Sequence, residues 1–387
     1  MLMAGTSAAY AGEGDVFTPY VGYGVYHDDN LSRQPDSGNR QSDTWYKTTA
    51  GLRIDKTLSR QRLTANLSIN DTKFDRFSQL DNDGRQIGAN WGWVIGNHLD
   101  GNIGYSENRQ LTPFGQIDPT NPRPIAPAVR TQKRTYIDGG YRFHPAWRVR
   151  GSFNHYDISF DTGSGSDFQL DESEVGIDYL SRAQNKIGLL FRHSTADYRV
   201  GSLFDYDQDE LKTNVSWRIT GKTDLQFLGG WAKRNYQSDA NDRDYSGFDA
   251  RLTANWAATG KTRFSLAAYR ELGSGIGDPE LALLDPANSY YSNYSRNTGV
   301  SLSANWQATA KIVVDAGIQR ETRSYNGIIT SLSDRSDTYR RNTIGVTFLP
   351  LRQLSIRASV YQQYLDSNIE GRSYSNKGFL VTTRYEF

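Results

Sequence analysis

The chain contains no cysteine, only 2 methionines and only 11 prolines in 387 residues. Without cysteine there are no disulfides and no thiolate chemistry, an absence compatible with an oxidising envelope compartment. No stretch approaches the roughly 18 consecutive apolar residues that a membrane-spanning helix requires, and the mean hydropathy of −0.67 excludes a helical membrane protein. The hydrophobic fraction of 37% lies below the share of about 45–50% found in ordinary soluble domains, so a large soluble core is poorly supplied. The net charge of +1 argues for no polyanionic partner, and nucleic acid is not expected.

What is abundant is aromatic: 24 Tyr, 16 Phe and 8 Trp, with 36 Gly. A polar, aromatic-rich chain of this size has two readings. One is a soluble all-β protein with many polar turns. The other is a barrel whose apolar side chains face lipid while the alternate ones face water.

Period-two alternation runs almost end to end. Phe248, Ala250, Leu252, Ala254 and Trp256 share one face, with Asp249, Arg251, Thr253 and Asn255 on the other. Val300, Leu302, Ala304 and Trp306 oppose Ser301, Ser303 and Asn305 in the same way. Short turns are expected near 55–61, 97–100, 144–147, 182–185, 219–222, 257–261, 307–311 and 349–353. Between them lie long polar segments, near 28–42, 76–84, 109–131, 159–167, 198–206, 237–243, 273–292, 326–335 and 366–373. Tight turns alternating with long loops are the pattern of an outer-membrane barrel, with turns on the periplasmic side. The fold class expected is all-β: a transmembrane antiparallel β-barrel of the bacterial outer membrane, about 18 strands, both termini periplasmic. Residues 13–387 form this single domain, and residues 1–12, with the A-x-A triplet Ala9-Tyr10-Ala11, read as a signal-peptide remnant or a disordered start.

Tryptophans mark a depth. Ala-Asn-Trp recurs at 89–91, 254–256 and 304–306, with Val215-Ser216-Trp217 as a variant. Trp91, Trp93, Trp217, Trp256 and Trp306 therefore read as a membrane girdle above the short turns. The chain ends on Tyr385-Glu386-Phe387, and Tyr385 and Phe387 have the outward aromatic spacing that barrel-assembly machinery reads.

Motifs of catalysis and cofactor binding do not occur. His27, His98, His144, His155 and His193 are scattered and form no H-E-x-x-H, and no G-x-S-x-G, P-loop or dinucleotide fingerprint is present. No catalytic residue, cofactor or metal is assigned, and the chain is read as a non-enzyme. An outer-membrane hydrolase or acyltransferase would need a nucleophile and base converging from distant strands.

The inward face carries the functional content. Alternation places Arg53, Arg142, Arg148, Arg150, Arg192, Lys212, Arg218, Arg234, Arg251, Arg263, Arg323, Arg357 and Arg384 in the lumen, with Tyr136, Tyr269 and Tyr361. The acids assigned inward are fewer: Asp138, Asp178, Asp224, Asp249, Asp315, Glu271, Glu321 and Glu386. An arginine excess favours anions, guanidinium groups bind carboxylates through paired bonds, and tyrosine rings stack on sugars. The competing reading of each arginine is a structural one, in arginine–carboxylate ladders that brace the wall. The segment 109–131 holds Pro113, Pro119, Pro122, Pro124 and Pro127. It cannot pair as a strand and is a candidate plug or cover, as is 273–292 with Pro279 and Pro286. Asp205, Asp207 and Asp209 read as solvated loop acids, with calcium or cation-bridged lipopolysaccharide as the alternative.

Four stretches carry a family resemblance: YHDDNLSR at 26–33, LSRQRLTANLSINDTKFDRFSQLDN at 58–82, DGGYRFHPAWRVRGSFNHY at 138–156 and ANWAATGKTRFSLAAYREL at 254–272. They resemble the EpsL-type outer-membrane proteins of exopolysaccharide loci linked to exosortase and PEP-CTERM sorting. The resemblance implies export of a secreted polysaccharide and, as further partners, periplasmic polysaccharide-export components, besides outer-membrane lipid, lipopolysaccharide and the assembly machinery. It supplies no catalytic residue. The expected function is a passive, hydrated exopolysaccharide channel, and the alternative is a general diffusion porin for small anionic solutes.

Overall fold

A computed structural model describes residues 16–112, 129–161, 167–183, 185–199, 205–237, 244–273, 295–325 and 335–387. These form β1 (Phe17–Asp28), β2 (Asp43–Leu58), β3 (Gln61–Phe74), β4 (Asn82–Ile95), β5 (Leu99–Leu111), β6 (Val129–His144), β7 (Trp147–Phe160), β8 (Phe168–Leu180) and β9 (Lys186–Tyr198). They continue as β10 (Tyr206–Thr220), β11 (Thr223–Tyr236), β12 (Tyr245–Ala257), β13 (Thr262–Leu272), β14 (Ser295–Gln307), β15 (Ile312–Tyr325), β16 (Ser336–Phe348), β17 (Leu354–Ser367) and β18 (Tyr374–Glu386). A single turn of 3₁₀ helix, Ser78–Leu80, lies between β3 and β4.

Each strand pairs antiparallel with its neighbours in sequence, and β18 pairs with β1 from Tyr20↔Glu386 to Asp28↔Gly378. The 18-stranded sheet is therefore closed and has no free edge. The strand count, the closure and the common side of the two chain ends agree with the alternation read from sequence. The short turns also fall where expected. The β2–β3 turn uses Ser59 at φ 57° and the β4–β5 turn Gly96 at φ 60°, the left-handed conformations that tight hairpins need.

Parity is set by the exposed apolar side chains. Leu63, Leu67 and Ile69 of β3, Val149 and Phe153 of β7, and Ile344, Val346 and Phe348 of β16 are all exposed, and the register carries this face round the ring. A continuous outward apolar belt is incompatible with water but suits lipid. Strands of 11 to 16 residues are at or beyond the roughly 9–11 that cross a bilayer at a tilt. The surplus lies toward the long connections, and it is there that outward positions turn polar: His155 and Asp157 on β7, Arg320 on β15, Lys377 on β18.

Some expectations fall elsewhere. Asp207 and Asp209 are in β10 rather than in a loop, pointing outward, where they accept bonds from Thr195 and His193 at 2.8 Å each. Among the described residues no group of three or more His, Asp or Glu is arranged to hold a metal ion. Gln110, Leu111 and Val129–Thr131 extend β5 and β6 into the segment expected to be loop. The five prolines of that segment, Pro279 and Pro286, and the signal-like start at 1–12 lie outside the described residues.

Candidate functional site

The site is the inner wall. Arg142, Arg148, Arg150, Arg192, Arg218, Arg234, Arg251, Arg263, Arg323 and Arg357, with Tyr136, Tyr269 and Tyr361, all occupy positions of inward parity, opposite the exposed apolar series. More acids join them than polarity alone suggested. Asp28, Asp43, Asp55, Asp100, Glu172, Glu174, Glu210 and Asp337 also point inward, against the added cations Lys47, Arg62, Arg130, Arg134, Lys186 and Arg341. The margin of positive charge is thus narrower than expected.

Most of the arginines are committed to the wall. Arg150 pairs with Glu174 and, at 3.2 Å, with Asp178. Arg192 reaches Glu174 at 2.9 Å and Glu210 at 3.1 Å, and Lys212 also pairs with Glu210. This makes one chain of alternating charge from β7 to β10. Arg148 pairs with Asp100, Arg251 with Glu271, Arg323 with Glu321 at 2.6 Å, and Arg384 with Glu386 at 3.0 Å. Arg234, 1% exposed, is sealed in: Nε donates to Gln208 at 2.7 Å, Nη2 donates to the Gly273 carbonyl at 3.1 Å, and the guanidinium lies 3.9 Å from the Tyr206 ring centroid. Arg142, Arg218 and Arg263 stand exposed near the short-turn end, with no ion pair among the described residues.

Four of the inward tyrosines share one arrangement. Tyr136, Tyr269 and Tyr361 each sit opposite a glycine in the adjacent strand: Gly104, Gly299 and Gly378. Each ring lies so close over its glycine that a Cβ there would meet ring atoms at 2.4–2.7 Å. Each hydroxyl thereby reaches past that strand to an acceptor on the next: Asn90 at 2.8 Å, Glu321 at 2.6 Å and Asp28 at 2.7 Å. Tyr20 crosses Gly51 to Asn66 at 3.2 Å in the same manner. An arginine covers each ring: Arg134, Arg251 and Arg341 at 4.4, 4.4 and 5.3 Å from the centroids of Tyr136, Tyr269 and Tyr361, and Arg384 at 3.6 Å from that of Tyr20. The rings are pinned to the wall and capped by cation–π contact. What they show the lumen is guanidinium as well as ring edge, so a sugar stacking on them would compete with the arginines.

A cavity of about 290 Å³ opens on this wall between β6, β7, β8 and the start of β9. Arg134, Arg148, Arg150 and Lys186 line it together with Asp138 and Asp178. Arg134 donates to Asn154 at 2.7 and 3.1 Å, and Lys186 has no ion pair among the described residues. Two cations that form no close ion pair thus face a polar recess whose wall also carries Asp138 and Asp178. Neither Arg134 nor Lys186 was singled out by alternation, because each sits where the polar and apolar faces are not sharply distinguished.

The inner face is not polar throughout. Toward the long-loop end Trp45 stacks on Tyr26 at 5.5 Å and on Phe74 at 5.4 Å, with Leu31 and Leu80 buried beside them. A second cluster joins Ile158, Phe168, Leu170, Ala196, Tyr198 and Tyr206. All the strand residues in both clusters have inward parity. Their burial stiffens the mouth of the barrel on two sides.

On the outer wall, Trp91, Trp93, Trp217, Trp256 and Trp306 all point outward near the short turns. Trp93 lies over Gly101 and Gly139, and Trp256 stacks on Phe264 at 5.6 Å. Tyr385 and Phe387 meet edge to face at 5.0 Å, and the Phe387 amide donates to the Pro19 carbonyl at 2.9 Å across the closing seam.

No family model and no curated protein matches the chain. Solved structures do. The outer membrane protein OpdK from Pseudomonas aeruginosa superposes with a TM-score of 0.54 at 10% identity, covering 96% of this chain and 99% of that one. OccK2 (OpdF) of the same organism, in complex with glucuronate, gives 0.54 at 12% identity, covering 97% and 99%. OpdK with vanillate gives 0.54 at 10%, covering 96% and 99%. The chain is an outer-membrane β-barrel. At this identity the likeness establishes the fold, and the barrel's cargo has to be argued from its own wall.

Proposed function

We propose that the barrel is a passive outer-membrane channel for small anionic solutes, carboxylates foremost. The observation that carries this reading is the recess lined by Arg134, Arg148, Arg150 and Lys186, four cations against Asp138 and Asp178, in which Lys186 forms no ion pair among the described residues. An anion entering there meets fixed positive charge without having to break an existing ion pair, and guanidinium groups suit the two oxygens of a carboxylate. The arrangement binds weakly enough to release, because the recess opens onto the lumen rather than closing around a ligand. Two proteins of similar fold have been solved with vanillate and with glucuronate, both carboxylates, which supports the same reading.

Export of a polysaccharide, implied by the EpsL-type resemblance, shares the fold and differs in cargo. Tyrosine rings already covered by guanidinium groups leave a neutral sugar polymer less aromatic face at those four positions, and this favours the small-solute reading. The barrel reconstituted in planar bilayers under a KCl gradient should show a reversal potential of anion-selective sign. Proteoliposomes should admit glucuronate faster than glucose. Cation selectivity, or equal entry of the two sugars, would refute the proposal, and block of conductance by polysaccharide but not by monosaccharide would restore export.

A further inference from the structure

Above the apolar belt the outer wall carries charge, and the charge is sorted around the ring. Over β8–β10 the outward positions bear Asp171, Asp207 and Asp209, beside His193. Over β13–β16 they bear Arg270, Arg296, Arg320 and Arg340. Arg320 and Arg340 are direct register partners on adjacent strands. Like charges placed opposite each other across a sheet are destabilising. One acid tempers this cluster: Asp366 of β17, bonded to Arg340 at 2.6 Å. Among the described residues no carboxylate pairs with Arg270, Arg296 or Arg320.

The depth of these groups restricts what can answer them. Arg270 is the first charge on an outward series of Phe264, Leu266 and Ala268, and Arg320 the first on Val314, Ala316 and Ile318. The guanidinium groups therefore emerge where the hydrocarbon of the outer leaflet ends and its headgroups begin. We propose that this face of β13–β16 binds the phosphate-bearing headgroup of an outer-leaflet lipid, with Arg320 and Arg340 as the central clamp. Phosphate oxygens accept the bonds that guanidinium groups on adjacent strands offer, and their charge offsets the repulsion between the arginines. The acidic arc over β8–β10 repels the same headgroup, so the lipid is held on one side of the barrel only.

The test uses the intact barrel in non-ionic detergent, with lipid A carrying its phosphates and with dephosphorylated lipid A as probes. Native mass spectrometry should show the phosphorylated form retained about 10-fold or more over the dephosphorylated one, the scale of a charge-assisted paired contact. The double variant Arg320→Gln/Arg340→Gln should lose this preference, while Lys133→Gln, outward on β6, should keep it. Melting supplies a second readout. Phosphorylated lipid A should raise the melting temperature of the wild type and leave the double variant unmoved. In lipid-free detergent the double variant should melt close to wild type, since the repulsive pair and the exposed Arg340–Asp366 ion pair are lost together. Equal retention of both lipids by the wild type would overturn the proposal even if the variant failed to fold. So would stabilisation by millimolar inorganic phosphate equal to that by lipid A.

Discussion

Arg357 and Asp315 join hands across a strand that separates them: two parallel bonds, 2.6 and 2.7 Å, run from β17 to β15 over Gly345 of β16. A Cβ at Gly345 would stand 2.8 Å from the Arg357 guanidinium and 2.9–3.0 Å from both Asp315 oxygens. Glycine is what lets the pair close. Gly140 plays the same part beneath Arg148 as it reaches Asp100. Gly345→Val should therefore push the pair apart and overfill the wall, lowering unfolding stability by about 1–3 kcal/mol. Denaturant titration of the folded barrel in detergent measures it, and an unchanged midpoint would show that the pair closes without the glycine.

The tyrosine bridges permit a graded comparison. Tyr269 donates to Glu321, which is fully buried and also bonded to Arg323, whereas Tyr136 donates to the neutral amide of Asn90. Removing a hydroxyl from a buried carboxylate leaves charge poorly compensated. Tyr269→Phe should cost about 1.5–3 kcal/mol and Tyr136→Phe about 0.5–1.5 kcal/mol. The same titration decides, and the reverse ranking would mean that the Arg323 pair alone suffices for Glu321.

Much of the barrel was legible because lipid tolerates so little. Outward positions in the belt are apolar or small on every strand, so parity could be read without coordinates, and each arginine and tyrosine assigned to the lumen from sequence does point there. The acids were undercounted for a physical reason. Where β8 and β10 project toward the long loops, both faces are polar: Asp171 and Asp209 point out while Glu172, Glu174 and Glu210 point in. Polarity cannot choose a face there. Trp45, Phe74 and Phe168 break the rule in the opposite sense, as apolar residues on the inner face. The bridges over glycine were invisible for another reason, since they depend on the register of three strands at once. Nothing near Tyr361 in sequence announces Gly378 opposite it or Asp28 beyond.

Lys186 separates transport from bracing. It lines the recess without an ion pair, while Arg150, lining the same recess, holds Glu174 and Asp178. Lys186→Gln should shift the reversal potential toward cations and leave stability within about 0.5 kcal/mol, as expected for a group that forms no ion pair. Arg150→Gln should destabilise by about 3 kcal/mol or more, because it strands partly buried carboxylates. A Lys186→Gln channel with wild-type selectivity would remove the recess from the solute path.

Phe387 tests whether the final strand is read during assembly or merely packs. The residue is 63% exposed and its ring touches Tyr385 edge to face, while the closing bond to Pro19 is made by its backbone amide. Phe387→Ala keeps that amide and removes a ring that is mostly outside the protein. Stability of the folded barrel should then fall by no more than about 1 kcal/mol, the scale of one aromatic pair. If the ring serves as a recognition signal, the fraction of chains reaching the outer membrane in cells should fall severalfold despite that small change. Pulse-chase fractionation, scored by the heat-modifiable folded band, reports the yield. Parallel losses of yield and of stability would assign the ring to packing at the seam, and a loss of yield alone assigns it to recognition.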